Sequence, residues 1–152
     1  MTNFEAELDA IGRWIKGAAN LNSIRLQLAP PAVARPVILW EPAARSTSRN
    51  LSRYLYVTKV QQYGKLYVVS LDQLNEYENL LLADLEERVG LVPVFAGAQT
   101  IGHLEAVEIE FSNSETLDVP FTVRYEVTYS RVTPEAAPPA TYVGNKITTR
   151  NE

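Results

Sequence analysis

The chain has 152 residues, a length that fits one domain, and its 46% hydrophobic and 21% charged residues belong to a globular chain rather than a disordered one. The absence of cysteine, with a single histidine at His103, excludes disulfides, cysteine-ligated zinc, iron–sulfur clusters, thiol catalysis and multi-histidine metal sites. The net charge of −4 is unevenly placed: residues 1–70 hold nine Lys/Arg against four acids, and residues 71–152 hold five against fourteen.

No apolar run approaches the ~20 residues that span a bilayer. The acidic start Met1–Glu5 lacks the basic and apolar regions of a secretory signal, so the expectation is a soluble cytoplasmic protein. Phe4, Leu8, Ile11, Ile15 and Ala18, with Trp14 beside them, recur at helical spacing and predict a first helix. Thr2 or Asn3 caps it, Glu5, Glu7 and Asp9 suit the positive end of its dipole, and Gly17 and Asn20 are stop signals. Ile24–Leu28 alternates, and Ala29–Ala32 breaks the pattern. Val37–Trp40 reads as a short strand fenced by Pro36 and Pro42, the pattern of a short or edge strand. Residues 41–53 have no apolar period and predict an exposed basic loop. Tyr54–Gln61 and Leu66–Ser70 then predict a hairpin turning at Gln62–Lys65, where Gly64 supplies the positive φ of a tight turn.

Ser70–Gln73 has the form of a capping box and opens a second helix over 72–89. Its apolar stripe is Leu74, Tyr77, Leu81, Leu82, Leu85 and Val89. Acids fill the opposite side, and Gly90 stands as the stop. Val92–Phe95 predicts a short strand and 97–102 a loop that carries His103 at its end. Ala106–Phe111 alternates, with Val107, Ile109 and Phe111 inward. After a turn at 112–115, Phe121–Tyr129 alternates over nine residues, as an antiparallel strand with one buried face does. Beyond Val132 the prolines 134, 138 and 139 and the small residues predict an extended arm, with Tyr142, Val143 and Ile147 as its anchors. The expected architecture is α+β: a mainly antiparallel β-sheet packed by two α-helices, as one domain over 1–132, with a Pro-rich C-terminal arm over 133–152.

No motif of nucleophilic, phosphate-binding or metal chemistry is present, and His103 has no partner in sequence. The reading is therefore non-enzymatic, with no catalytic, cofactor or metal site. Three features remain. The basic stretch Arg45, Arg49 and Arg53 is a solvated loop, or a contact with an acidic neighbour or with phosphate. The strand acids Glu108 and Glu110, with Glu126 and Arg124, form an ordinary polar sheet face, a subunit contact or the wall of a passage. The arm is a disordered tail or a binding arm.

The element order rests on the opening helix around Phe4–Ile15, the Arg35–Trp40 strand, the Tyr54–Ser70 hairpin leading into Leu74–Val89, and the closing strand Val119–Val127. This order resembles the tail terminator and neck terminator proteins of long-tailed bacteriophages over residues 4–132. The resemblance implies a structural virion protein: a homo-oligomeric ring, typically a hexamer, at the neck or tail end, assembled in the host cytoplasm. Such a ring caps the tail tube and contacts tube or sheath proteins and the head-side connector or collar. DNA passes through its lumen without sequence-specific binding, and no membrane is involved. On this reading Arg45, Arg49 and Arg53 of one subunit meet Glu108 and Glu110 of the next, with Trp40 and Tyr142 as apolar anchors. Two other readings stand beside it: a nucleic-acid-binding adaptor using the same arginines, and an enzyme whose site forms between subunits.

Overall fold

The structure, a computed structural model, describes residues 3–112 and 115–130. The fold is α+β, with two helices and a curled, mostly antiparallel sheet. Helix α1 spans Asn3–Ala19 and leads into a three-residue strand β1, Ser23–Arg25, followed by a 3-10 turn at Leu26–Leu28. Strands β2 (Val37–Trp40), β3 (Ala44–Asn50) and β4 (Leu55–Tyr67) precede helix α2, Leu71–Glu87. Strands β5 (Val92–Ala96), β6 (Gln99–Phe111) and β7 (Asp118–Ser130) complete the sheet. Its order is β1-β2-β4-β7-β6-β5, with β3 also on β4 and only the β1–β2 pair parallel.

The spine of the sheet is the β4–β7 pair, in register over all thirteen residues from Leu55↔Ser130 to Tyr67↔Asp118. The expected hairpin at Gln62–Lys65 is therefore absent, because the segment is one continuous strand. Its inward positions are Thr58, Val60, Gln62, Gly64 and Leu66, all buried. Polar residues and a glycine at three of them hid the period of two. Gly64 is extended rather than turned, and its lack of a side chain is needed for space: a Cβ there would lie 2.9 Å from both Phe121 and Trp40. Those rings meet edge to face at 5.4 Å above it.

Residues 41–53 likewise differ from expectation. They contain β3, which pairs antiparallel with the first half of β4 while β2 pairs with the second half, so the two strands lie end to end along one edge. The break between them at Glu41–Ala43 is closed by the buried Gln62 side chain, whose Nε2 donates to the carbonyls of Glu41 (2.5 Å) and Tyr63 (3.0 Å). Strand β2 is an interior strand, held between β1 and β4 with all four residues buried, not an edge. Its prolines lie just outside it, where they remove no ladder bond.

At the other side, β6 makes two pairings. Residues 99–104 pair with β5 and residues 105–111 pair with β7. The change of partner coincides with a bulge at Ala106, whose φ of +50° bends the strand and curls the sheet. The segment 97–102 is thus a tight turn at Gly97-Ala98 followed by strand. His103 stands within β6, opposite Pro93 and exposed, not in a loop.

Helix α1 lies in the concavity of this sheet. Leu8, Ala10, Ile11, Trp14, Ile15 and Ala19 join Ile38, Trp40, Leu66, Val94, Leu104, Phe121 and Val123 in one core. Helix α2 packs chiefly on α1 and the flank of β6. Only Leu81 and Leu85 of its expected stripe are buried; Leu74 and Tyr77 are half-buried, and Leu82 and Val89 are exposed. Its start is as the sequence predicts. Ser70 Oγ accepts from the Gln73 N–H at 3.1 Å, and Gln73 Oε1 accepts from the Val69 N–H at 2.8 Å. At its end Gly90 N donates to Leu85 O (3.0 Å) and Val89 N to Glu86 O (3.3 Å), with Val89, not the glycine, at the first left-handed position, φ +55°. No helix among the described residues is long and apolar enough to cross a membrane.

Candidate functional site

The densest polar constellation in the fold surrounds Glu7. This residue shares the apolar face of α1, one turn from Ile11 and beside Leu8, and is 1% exposed. Its carboxylate is met from two strands. From β3, Arg45 approaches with both terminal nitrogens, Nη1 to Oε1 at 2.6 Å and Nη2 to Oε2 at 3.0 Å. From β7, the Tyr125 hydroxyl donates to Oε1 at 2.7 Å and the Tyr129 hydroxyl donates to Oε2. Each oxygen therefore accepts two hydrogen bonds, one from a guanidinium and one from a phenol. That saturation offsets the desolvation of a buried charge. The hydrogen bond to Glu7 raises the Arg45 pKa against the opposing effect of its burial. Burial, and then the adjacent Glu7 charge, hold the Tyr125 hydroxyl protonated far beyond its ordinary range. Chemically this is a clasp: it pins α1 to β3 and β7, and it presents no unpaired acid or base for proton transfer.

Two smaller clusters have the same character. Trp14 Nε1 donates to Asp84 Oδ2 at 2.6 Å and Arg88 Nε donates to the same oxygen at 2.7 Å, joining α1 to α2. Arg35 donates to the carbonyls of Val68 and Leu117 and to Asp118 Oδ1, and stacks 5.1 Å from the Tyr67 ring centroid.

The fold brings part of the set singled out from sequence together within one chain, since Arg45, Glu108, Arg124 and Glu126 border one depression, and places the rest elsewhere. Arg45 is not in an exposed loop and is committed to Glu7 within its own chain. Arg49, also on β3, reaches Glu126 at 3.5 Å. Arg53 lies over the Tyr54 ring at 5.9 Å. Glu110 pairs with Arg124 of the adjacent strand at 2.9 Å, and Glu108 is exposed on the same outer face. Trp40 cannot serve as a surface anchor, since it is 3% exposed and packed on Phe121. Tyr142 and the rest of the arm over 133–152 lie outside the described residues. Among the described residues, no cluster of three or more His, Asp or Glu is placed to hold a metal ion.

What the sequence reading missed is Glu7. The sequence pattern assigns it to the helix dipole, yet its position falls in line with 8, 11, 14 and 15, the buried stripe of α1. An acid inside an apolar stripe is the signal of a paired, buried charge. Its partners, 38 to 122 residues away, had no local signature.

Two of the surface concavities border β6. On the outer face of the sheet, a depression of about 480 Å³ is lined by charged and polar side chains including Lys59, Gln61, Glu108, Arg124 and Glu126. At the end of α2, an open groove of about 630 Å³ lies against β6. No protein-family model matches the sequence, and no curated protein matches it.

Proposed function

We propose that this chain is a structural ring subunit of the tail terminator or neck terminator kind, acting at the end of a phage tail tube in the virion. The order α1-β1-β2-β3-β4-α2-β5-β6-β7 keeps the helix-strands-helix-strands plan that carries the resemblance. The observation that carries the proposal is the separation of two oppositely charged surfaces. Helix α2 has six acids and no Lys or Arg, and lies beside β6. Strand β3, with Arg49, which pairs with Glu126 of its own chain, and the nearby Arg53 and Lys59, lies on the far side of β4. A head-to-tail ring needs two different, complementary patches on each subunit, and these two surfaces supply them.

In this reading the acidic α2 of one subunit faces the basic β3 edge of the next. Exposed charge pairs contribute only ~0–1 kcal/mol each, so they orient the contact rather than hold it. Leu71 and Leu80, exposed on α2, are the apolar anchors in place of Trp40. The test is charge reversal at Arg49→Glu, Arg53→Glu and Lys59→Glu together, leaving Arg45 untouched because Glu7 depends on it. The triple variant should keep the circular dichroism of the folded domain and fail to enter rings and particles. Normal particles built from it, or native protein found outside any tail or neck assembly, would refute the proposal.

A further inference from the structure

The groove between the end of α2 and β6 has an apolar floor of Leu85, Val107 and Ile109, each buried, and apolar sides of Leu82, 43% exposed, and Val89, 80% exposed. Val89 is a β-branched residue held at φ +55°, in the left-handed region that such residues avoid. Strain of this kind points to a use for the side chain it presents. The rim is acidic. Glu86 and Glu108 stand in the lining, neither ion-paired among the described residues, and Glu87 is next in sequence. The nearest cation in sequence, Arg88, is engaged by Asp84 at 2.7 Å. Glu86 and Glu87 also lie in the last turn of α2, where the helix dipole adds negative potential. An exposed apolar surface with such a rim calls for an apolar occupant that carries positive charge.

The connection between β3 and β4 has that chemistry. Residues 49–55, RNLSRYL, hold two arginines and no acid. Leu51 and Tyr54 are each 51% exposed. Arg53 lies over the Tyr54 ring at 5.9 Å, so cation and ring form one surface, and Arg49 reaches Glu126 at 3.5 Å with 57% of its side chain exposed. The turn is closed by its own hydrogen bonds. Ser52 Oγ accepts from the N–H groups of Tyr54 (3.1 Å) and Leu55 (3.2 Å), and the Leu55 carbonyl accepts from the N–H groups of Leu51 (3.0 Å) and Ser52 (3.2 Å). A projection already ordered in this way loses little entropy on docking. It does not reach the groove of its own chain. Leu55 pairs with Ser130 at one end of β7, and Glu108 pairs with Arg124, six positions away. The two sites are thus ~20 Å apart along the sheet and ~10 Å apart across it.

We infer that the β3–β4 projection of one copy of this chain seats in the α2–β6 groove of the next. Leu51 and Tyr54 pack on Leu82, Val89 and Ile109, and Arg49 and Arg53 face Glu108 and Glu86. The inference rests on the head-to-tail contact of the proposed function and gives that contact its socket and its plug. The two halves lie on different parts of each subunit, so the same contact repeats from copy to copy. The apolar centre supplies affinity, and the exposed charges set orientation.

Because the natural chain has no cysteine, single cysteines beside the contact report it in the full-length protein while leaving its apolar anchors in place. Asn50→Cys, activated as a mixed disulfide with a small aromatic thiol, is mixed with Glu87→Cys or, as a control, with Ile101→Cys, an exposed position on β6. Each linking rate is divided by that acceptor's rate with the small disulfide alone. Docking raises the local thiol concentration, so Glu87→Cys should link at least about tenfold faster than Ile101→Cys. Adding Leu82→Asp to the acceptor, or Tyr54→Asp to the donor, should abolish the difference; both positions are exposed, so both variants keep the fold. Equal normalised rates assign the groove to another occupant and overturn the contact, as does a preference that survives both aspartates. The outcome is separable from that of the ring proposal. Selective linking by a protein found outside any tail assembly supports this contact and refutes the phage reading, whereas equal linking by a protein that enters particles refutes this contact alone.

Discussion

Removing Arg45 isolates the value of the Glu7 clasp. In Arg45→Ala the Glu7 carboxylate, 1% exposed, keeps only the Tyr125 and Tyr129 hydroxyls. Deleting one partner of a buried pair costs ~3–5 kcal/mol, because the remaining charge has neither counterion nor water. The reverse deletion should be milder. The Arg45 side chain is 31% exposed, so in Glu7→Gln it can turn to solvent, and the loss should be ~1–3 kcal/mol. The double variant Glu7→Leu/Arg45→Met removes both charges and keeps most of the volume; it should lie within ~2 kcal/mol of the natural protein. Urea unfolding followed by circular dichroism and by the fluorescence of buried Trp14 and Trp40 measures all four proteins. The expected pattern is strong non-additivity, with the double variant more stable than Arg45→Ala. An Arg45→Ala loss below ~1 kcal/mol, the size of a surface pair, would refute the argument.

Three further outcomes follow from the packing. Gly64→Ala places a methyl 2.9 Å from two aromatic rings and should cost ~1–3 kcal/mol with an altered near-ultraviolet signal from Trp40; an unchanged melting temperature would contradict the packing at that position. Leu81→Ala should cost ~2–5 kcal/mol while Leu82→Ala, one residue on but exposed, stays within ~0.5 kcal/mol; equal losses in urea titrations would misplace α2. Tyr125 stays protonated in the folded state where an unfolded tyrosine ionises near pH 10, so its contribution is whole below pH ~10 and is lost as pH rises, by up to ~1.4 kcal/mol per pH unit. Tyr125→Phe should flatten that alkaline limb, and an identical slope in the variant would show that Tyr125 is not the group responsible.

The elements with uninterrupted periodicity were legible in the sequence. Helix α1, the Ser70 cap of α2, and the alternation of Val107–Phe111 and of Phe121–Tyr129 all stand where the pattern puts them: each strand run buries one apolar face, α1 buries an apolar stripe interrupted by Glu7, and the cap is a local bond to Gln73. The errors share one physical cause. In β4, Thr58, Gln62 and Gly64 occupy inward positions, and what Gln62 and Gly64 face is a chain break and a pair of rings rather than aliphatic core. Strand β3 has little apolar alternation because it is an edge strand whose inward Arg45 serves Glu7. Those residues answer to partners far along the chain, and local pattern carries no trace of them. The same holds for the candidate site. The spacing of Arg45, Arg49 and Arg53 cannot tell an internal clasp from a surface patch, because the partner Glu7 lies 38 residues from Arg45.

The place of β7 in the sheet has a consequence for how the protein is made. The last described strand in sequence is a central strand in space, flanked by β4 and β6, and it carries both hydroxyls that complete the Glu7 clasp. Its contacts join segments more than fifty residues apart with β4, and 118 residues apart with α1. During synthesis, then, the first helix leaves the ribosome long before its counterpart exists, and its acid stays hydrated until the final strand arrives. Chains dominated by such distant pairings fold slowly. Completion of the core is thereby coupled to completion of translation through residue 130, and a nascent chain stopped within the β5–β6 hairpin would display an unclosed sheet to quality control.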